Sequence, residues 1–202
     1  FFSLNFIYRF SIEIRVLFFM ELIKQNTQSN VIKSILIIFI GSIILTISSK
    51  IKIPFYPVPM TMQTFVVLFL GISFGYKIGL ATIGLYILEG LAGLPVFSNS
   101  PERGLGIAYF IGPTMGYLIG FFSACFIASF IKTSDSYLKI YLKLILSTST
   151  IYILGVLWLG NLIGWDKPVI QFGVTPFLLA EIFKITLLVI LAKKILKLRK
   201  FI

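Results

Sequence analysis

The 202-residue chain has no histidine, one cysteine (Cys125) and only seven acidic residues. A lone cysteine excludes an internal disulfide, and without His/Cys clusters the usual zinc sites are excluded as well. Serine–histidine and cysteine–histidine catalysis lose their general base. Charge is scarce overall: 12% of residues are charged, against about 25% in a soluble domain. With 58% apolar residues, a water-soluble globule of this size would lack the polar atoms to cover its surface. The apolar residues do not alternate with polar ones in the short segments of a membrane β-barrel. They fall in long continuous blocks, which read as membrane-spanning helices in an all-α membrane protein.

The blocks give six spans. The first covers about 31–49. Lys50 to Pro59 then holds three prolines in six positions, each without an N–H and each restricting its predecessor, so this segment is expected as a stiff extended loop. Residues 61–95 are apolar almost throughout. As one helix they would run roughly 50 Å, against a hydrocarbon core of about 30 Å. Gly71-Ile-Ser-Phe-Gly75-Tyr-Lys77 therefore divides them into two short spans. A polar loop over 98–106 leads to span 4, about 108–131, where Gly112, Gly116 and Gly120 bare one helix face for close packing. Span 5 covers about 138–165, with Trp158 and Trp165 as interfacial anchors, and span 6 about 172–191. Residues 31–202 form one membrane domain with a basic tail. Residues 1–30 are read as an N-terminal extension, not native before Met20, with an interfacial amphipathic helix as the alternative.

Thirteen of the 18 basic residues fall on the side of the two termini, four on the other, and Lys184 lies inside span 6. The excess of positive charge puts both termini in the cytoplasm. The net charge of +11 is thus assigned to the membrane surface rather than to nucleic acid. The proline loop, the 98–106 loop and the Asp166–Lys167 turn then share the outer face as a lid over a cavity.

Glu181 and Lys184 are the main candidates for chemistry. Three residues apart on one helix face, they can neutralise each other. A charge at a bilayer centre costs about 2.5–3.5 kcal/mol on insertion scales. Taking Phe172 near the surface, Glu181 would lie about 13 Å down. The pair is either a packing device or the polar anchor of a ligand. Gln63 at the start of span 2 offers amide donors and an acceptor, and Tyr117 a hydroxyl. Glu89, the other deep acid, is read as structural. A lipid-modifying enzyme would need clustered acids, histidine or a metal site at the membrane surface, which the sequence lacks.

The segment Pro57-Val-Pro-Met-Thr-Met-Gln63 resembles the PVPxTxQ signature of the BioY family. The likeness continues through Gly93-Leu-Pro-Val-Phe97 and Gly112-Pro-Thr-Met-Gly-Tyr-Leu-Ile-Gly-Phe121, and Glu181-Ile-Phe-Lys184 stands where the family carries Asp-x-x-Lys. The resemblance implies a six-helix bundle of the S-component type, and a biotin-binding subunit of an energy-coupling factor (ECF) transporter in a bacterial inner membrane. It implies biotin as substrate and no cofactor. The partners would be a transmembrane T component and ABC-type ATPases, since this chain has no Gly-x-x-x-x-Gly-Lys-Ser/Thr phosphate loop. A different vitamin such as riboflavin or thiamine, or solitary biotin transport, is the alternative. The implied binding residues are Gln63, Asn99, Tyr117, Glu181 and Lys184. Biotin has two ureido N–H donors, one ureido acceptor, an apolar thioether ring and an anionic tail. Glu181 can accept from the ureido N–H groups, and Lys184 can neutralise it and donate to a ligand oxygen. Family members pack small residues of span 1 on the T component. Here that span offers Ser34, Gly41, Ser42 and Thr46.

Overall fold

The computed structural model describes residues 30–54 and 56–201, so the expected N-terminal extension lies outside the described residues apart from Asn30. The described residues divide into two units, one ending at Leu36 and the other starting at Ile37. Helix α1 spans Asn30–Lys50, its first seven residues in the first unit. The second unit continues with strands β1 (Lys52–Ile53) and β2 (Met60–Thr61), then α2 (Gln63–Leu91), α3 (Ile107–Phe110), α4 (Met115–Ala128), α5 (Tyr137–Ile163), α6 (Val169–Gly173) and α7 (Leu178–Ile195). Short 3₁₀ turns precede and follow α7, at Thr175–Phe177 and Leu196–Phe201. Among the described residues four helical segments are long and apolar enough to cross a membrane, with α4 as a shorter apolar helix.

The proline segment is not simply an extended loop. Lys52 and Ile53 pair antiparallel with Thr61 and Met60 and close it into a hairpin. Both strands fall just outside the prolines, where the chain still has the N–H groups a ladder needs. The break expected near the middle of 61–95 lies at Gly75, whose φ of 74° and ψ of 179° interrupt α2. No atom would crowd a Cβ there. Glycine is used at this position for its backbone freedom, not for space.

Arg199 secures this break. Its Nε donates to the Ile72 carbonyl at 2.8 Å, and Nη2 to the carbonyls of Gly71 at 3.1 Å and Ser129 at 2.7 Å. These carbonyls belong to the turn of α2 before Gly75 and to the C-terminal end of α4. A cation there meets both the unpaired acceptors and the negative end of the helix dipole.

Span 4 is shorter than expected. Pro113 follows Gly112, and the helix restarts only at Met115, because proline supplies no N–H to the preceding turn. Gly112 therefore sits in the turn, and its carbonyl accepts from Trp158 Nε1 at 2.9 Å. Trp158 is thus directed into the protein, while Trp165 is 57% exposed. Gly116 and Gly120 do face a neighbour. A Cβ on Gly120 would stand 2.6 Å from Ile151 Cα, and one on Gly116 would meet the Leu154 carbonyl. Span 6 also differs: Pro176 and a turn at Val174 (φ −132°, ψ −56°) separate α6 from α7. Of the small residues in α1, Gly41 packs on Thr82, and Ser42 donates to Glu89 at 3.0 Å. These two are occupied within the chain.

Between α4 and α5, Asp135 accepts from the Lys132 N–H at 3.0 Å and from Lys143 Nζ at 2.6 Å, and pairs with Lys139 at 3.3 Å. Burial works to raise the pKa of this carboxyl. The hydrogen bonds from Lys143, Lys132 and Lys139 outweigh it and bring the pKa down to about 2. A depressed carboxylate stabilises the fold above its unfolded pKa and loses that contribution as pH falls through the folded value. Asp135→Asn is expected to cost about 1–2 kcal/mol at neutral pH. The gap from wild type should shrink between about pH 4 and about pH 2. Thermal unfolding in detergent across that range checks this, and a gap independent of pH would contradict it.

Candidate functional site

One cavity, about 540 Å³ counting the space open to solvent, is bounded by the hairpin, the start of α2, the loop after α2, and parts of α3, α4, α5 and α7. The proline loop contributes Val58 and Pro59, the 98–106 loop contributes Ser98, and Phe177 comes from the 3₁₀ turn before α7. The Asp166–Lys167 turn, expected as part of the lid, does not line it.

Glu181 is not in mid-helix. It occupies the first turn of α7, because the helix begins only after Pro176. A carboxylate is favoured there by the positive end of the helix dipole. It is 5% exposed and lines the cavity. Its Oε1 accepts from Thr64 Oγ1 at 2.8 Å and from Lys184 Nζ at 2.8 Å. Its Oε2 has no hydrogen-bond partner. Lys184 is 4% exposed. Besides Glu181 it donates to the Thr61 carbonyl at 2.7 Å and to Thr64 Oγ1 at 3.0 Å. An ammonium group has three N–H donors, and all three of these are engaged. Lys184 does not line the cavity, so it acts on the site through Glu181 and Thr64.

Gln63 lines the cavity and donates from Nε2 to the Tyr86 hydroxyl at 2.8 Å. Tyr86 in turn donates to the Val96 carbonyl. Tyr117 also lines it, but its hydroxyl already donates to the Gly173 carbonyl at 2.9 Å. Its ring lies where a Cβ on Gly155 would stand. Tyr117 is therefore a fixed wall joining α4, α5 and α6, with a lone pair still free to accept. Asn99 does not line the cavity. It has a φ of 59°, and its side-chain oxygen accepts from Lys52 Nζ. Its neighbour Ser98 lines the cavity instead, 4% exposed and with an unpartnered hydroxyl.

Sequence reasoning missed Thr64, Ser98, Tyr109, Tyr152 and Phe177. Tyr152 stacks on Phe177 at 6.1 Å and meets Tyr117 edge-on at 6.1 Å. Tyr109 stacks on Phe97 at 4.8 Å. Thr64 had a usable signal, since it follows Gln63 directly at the head of a helix. Tyr152 had none, because an aromatic in an apolar span reads as ordinary core. The arrangement offers an orphaned anionic acceptor, aromatic walls and a separate hydroxyl. That set can hold a small, partly apolar molecule with polar groups at more than one point.

Comparison with known proteins gives a consistent result. A model of the BioY family matches residues 22–201. The chain is similar to the probable biotin transporter BioY of Pyrococcus horikoshii, 35% identical over 150 residues that cover 74% of this chain and 88% of the relative. It is also similar to the biotin transporter BioY of Thermotoga maritima, 31% identical over 156 residues covering 77% and 90%. In three dimensions it resembles the crystal structure of the S-component for biotin from an ECF-type ABC transporter. That match has a TM-score of 0.70 and 23% identity over 83% of this chain and 93% of that one.

Removing one partner of a buried ion pair leaves an uncompensated charge and costs about 3–5 kcal/mol. Lys184→Met is expected to lose stability on that scale. The double variant with Glu181→Gln should be less destabilised than Lys184→Met alone. Chemical or thermal unfolding in detergent measures both, and strictly additive losses would refute the coupling.

Proposed function

The chain belongs to the BioY family, and from that premise we propose that it is the biotin-binding S component of an ECF-type transporter. It captures biotin at the outer face of a bacterial cell membrane and releases it inside when coupled to a T component and ABC-type ATPases. Its role is binding, and ATP is used by the partners. On this reading α1, the two halves of α2, α4, α5 and α7 serve as the six spans, and the charge asymmetry supports both termini in the cytoplasm.

The observation that carries this reading is the Glu181 carboxylate. One oxygen is held by Thr64 and Lys184, the other has no hydrogen-bond partner, and the residue lines the cavity. An orphaned buried acceptor is costly until a donor reaches it. A ureido ring brings two N–H donors, and the aromatic walls of Tyr117, Tyr152 and Phe177 suit a bicyclic thioether ring. Gln63 keeps one amide N–H beyond its bond to Tyr86, available to a ligand acceptor. Analogues without the ureido donors would leave Glu181 unsatisfied, which supports selectivity. Lys184 serves as the counter-charge of Glu181.

Purified protein is expected to bind labelled biotin saturably and to ignore riboflavin and thiamine. Glu181→Gln should weaken biotin binding roughly tenfold or more, the loss of a hydrogen bond to a charged group. Saturation by another vitamin with no biotin bound would overturn the substrate assignment.

A further inference from the structure

A groove of about 510 Å³, counting the space open to solvent, runs between the hairpin and α7, apart from the cavity. The hairpin contributes Lys52, Ile53 and Met60 to it, and α7 contributes Ala180, Phe183 and Lys184. A second depression shares Met60, Ala180 and Phe183 with it and extends over Leu179, Ile182 and Thr186. From Leu179 to Thr186 the helix rises about 10 Å. Leu179 is 81% and Phe183 71% exposed, so the groove opens on the outer side of a helix long and apolar enough to cross a membrane. That side meets lipid.

Four polar side chains line the two depressions: Lys52, Thr61, Lys184 and Thr186. Three have their donors engaged within the chain. Thr186 donates to the Ile182 carbonyl at 2.7 Å and Thr61 to Gln63 at 3.3 Å. Lys184 uses its three N–H groups on Thr61, Thr64 and Glu181. Lys52 differs. Its ammonium donates to Asn99, which leaves two N–H groups to give, and it takes no part in the three ion pairs among the described residues. The groove therefore carries an unpaired cation at its hairpin end and an apolar run along α7. A small water-soluble anion would leave the apolar run uncovered, and a plain hydrocarbon would leave the cation without its anion. A phosphate joined to an acyl chain meets both needs.

Met60 and Thr61 line the groove and also the ligand cavity, so the two-residue strand β2 is the partition between them. We propose that the groove is a phospholipid site, with the phosphate on Lys52 and an acyl chain along α7 over Ala180 and Phe183, and that the bound lipid supports the cavity wall from behind. Only the second half rests on the biotin reading above. Lipid packed against Met60 removes the room for β2 to move outward, so biotin and lipid each bind tighter in the presence of the other, by the same factor.

For the test, the purified full chain is stripped of lipid in detergent. It is titrated with dioleoylphosphatidylglycerol or with dioleoylglycerol, which keeps the acyl chains and lacks the phosphate, and bound lipid is counted by native mass spectrometry. Wild type is expected to hold its first phosphatidylglycerol roughly ten- to a hundredfold tighter than dioleoylglycerol. Lys52→Gln should erase that preference and bind dioleoylglycerol as before. Ala180→Trp fills the groove and should weaken both lipids about tenfold. Phosphatidylglycerol should also tighten biotin binding by wild type severalfold and leave that of Ala180→Trp unchanged. Equal binding of the two lipids by wild type, a preference that survives Lys52→Gln, or lipid affinity untouched by Ala180→Trp overturns the lipid site. Lipid binding as expected with no change in biotin affinity overturns the support of the wall alone. A wild type that holds lipid in this way and binds no biotin overturns the proposed function and leaves the lipid site standing.

Discussion

The site depends on one asymmetric carboxylate. Glu181 is buried, and its charge is tolerated because a single oxygen takes both the Lys184 ammonium and the Thr64 hydroxyl. The same ammonium bonds the Thr61 carbonyl, so the contact ties α7 to the strand and helix that begin at the proline hairpin. Buried ion pairs seldom add net stability, because desolvation offsets the Coulomb attraction. This one earns its place by geometry. It fixes the first turn of α7 against the start of α2 and leaves the second carboxylate oxygen without a hydrogen-bond partner. A lysine with a free N–H would compete for the ligand's acceptors. A lysine with all three donors engaged acts only as a fixed counter-charge.

The cavity exists because the surrounding elements are stiff at its edges. The hairpin is clamped between two short strands, so Val58 and Pro59 cannot collapse inward as a mobile loop would. Tyr117 is held at two points, with its hydroxyl on Gly173 and its ring over Gly155. A side chain at either glycine would displace the ring. The loop that brings Ser98 to the cavity is held by Lys50 and by the Tyr86–Val96 contact. Polar groups are therefore placed before a ligand arrives, which lowers the ordering cost of binding.

Much of this was legible in the sequence, for definite reasons. Two charges three residues apart in an apolar stretch stand out against hydrocarbon, and three prolines in six positions exclude a helix. Gly75 fell within the segment expected to break. Other features were hidden because they depend on register or on contacts distant in the chain. Charge spacing finds Glu181 and Lys184 but not which donors Lys184 has left. The loop after Phe97 presents Ser98 rather than Asn99 to the cavity, a difference of one residue set by the positive φ at Asn99 and its bond to Lys52. Hydropathy extended span 6 back to 172, although Pro176 and the turn at Val174 start a new helix. As a result Glu181 lies at a helix N-terminus, a kinder place for a carboxylate than the middle.

Basic residues show the same gap between counting and geometry. In a multi-pass membrane protein, the sum of lysines and arginines on each side sets orientation and treats every cation alike. The structure divides them by what they touch. Arg199, in a tail that charge counting assigns to the membrane surface, turns inward and caps the carbonyls on either side of a helix break and a helix end. Lys50 and Lys52 straddle the loop at the cavity, and Lys143 joins Asp135 to the Phe130 carbonyl at the opposite end of α4. Arg199, Lys50 and Lys143 meet backbone acceptors that irregular segments leave unpaired, and backbone without partners is what apolar surroundings tolerate least. The glycines and prolines that break the spans thus create the need, and a few of the cations meet it. The same breaks that open a cavity between short helices are held open by lysine and arginine side chains.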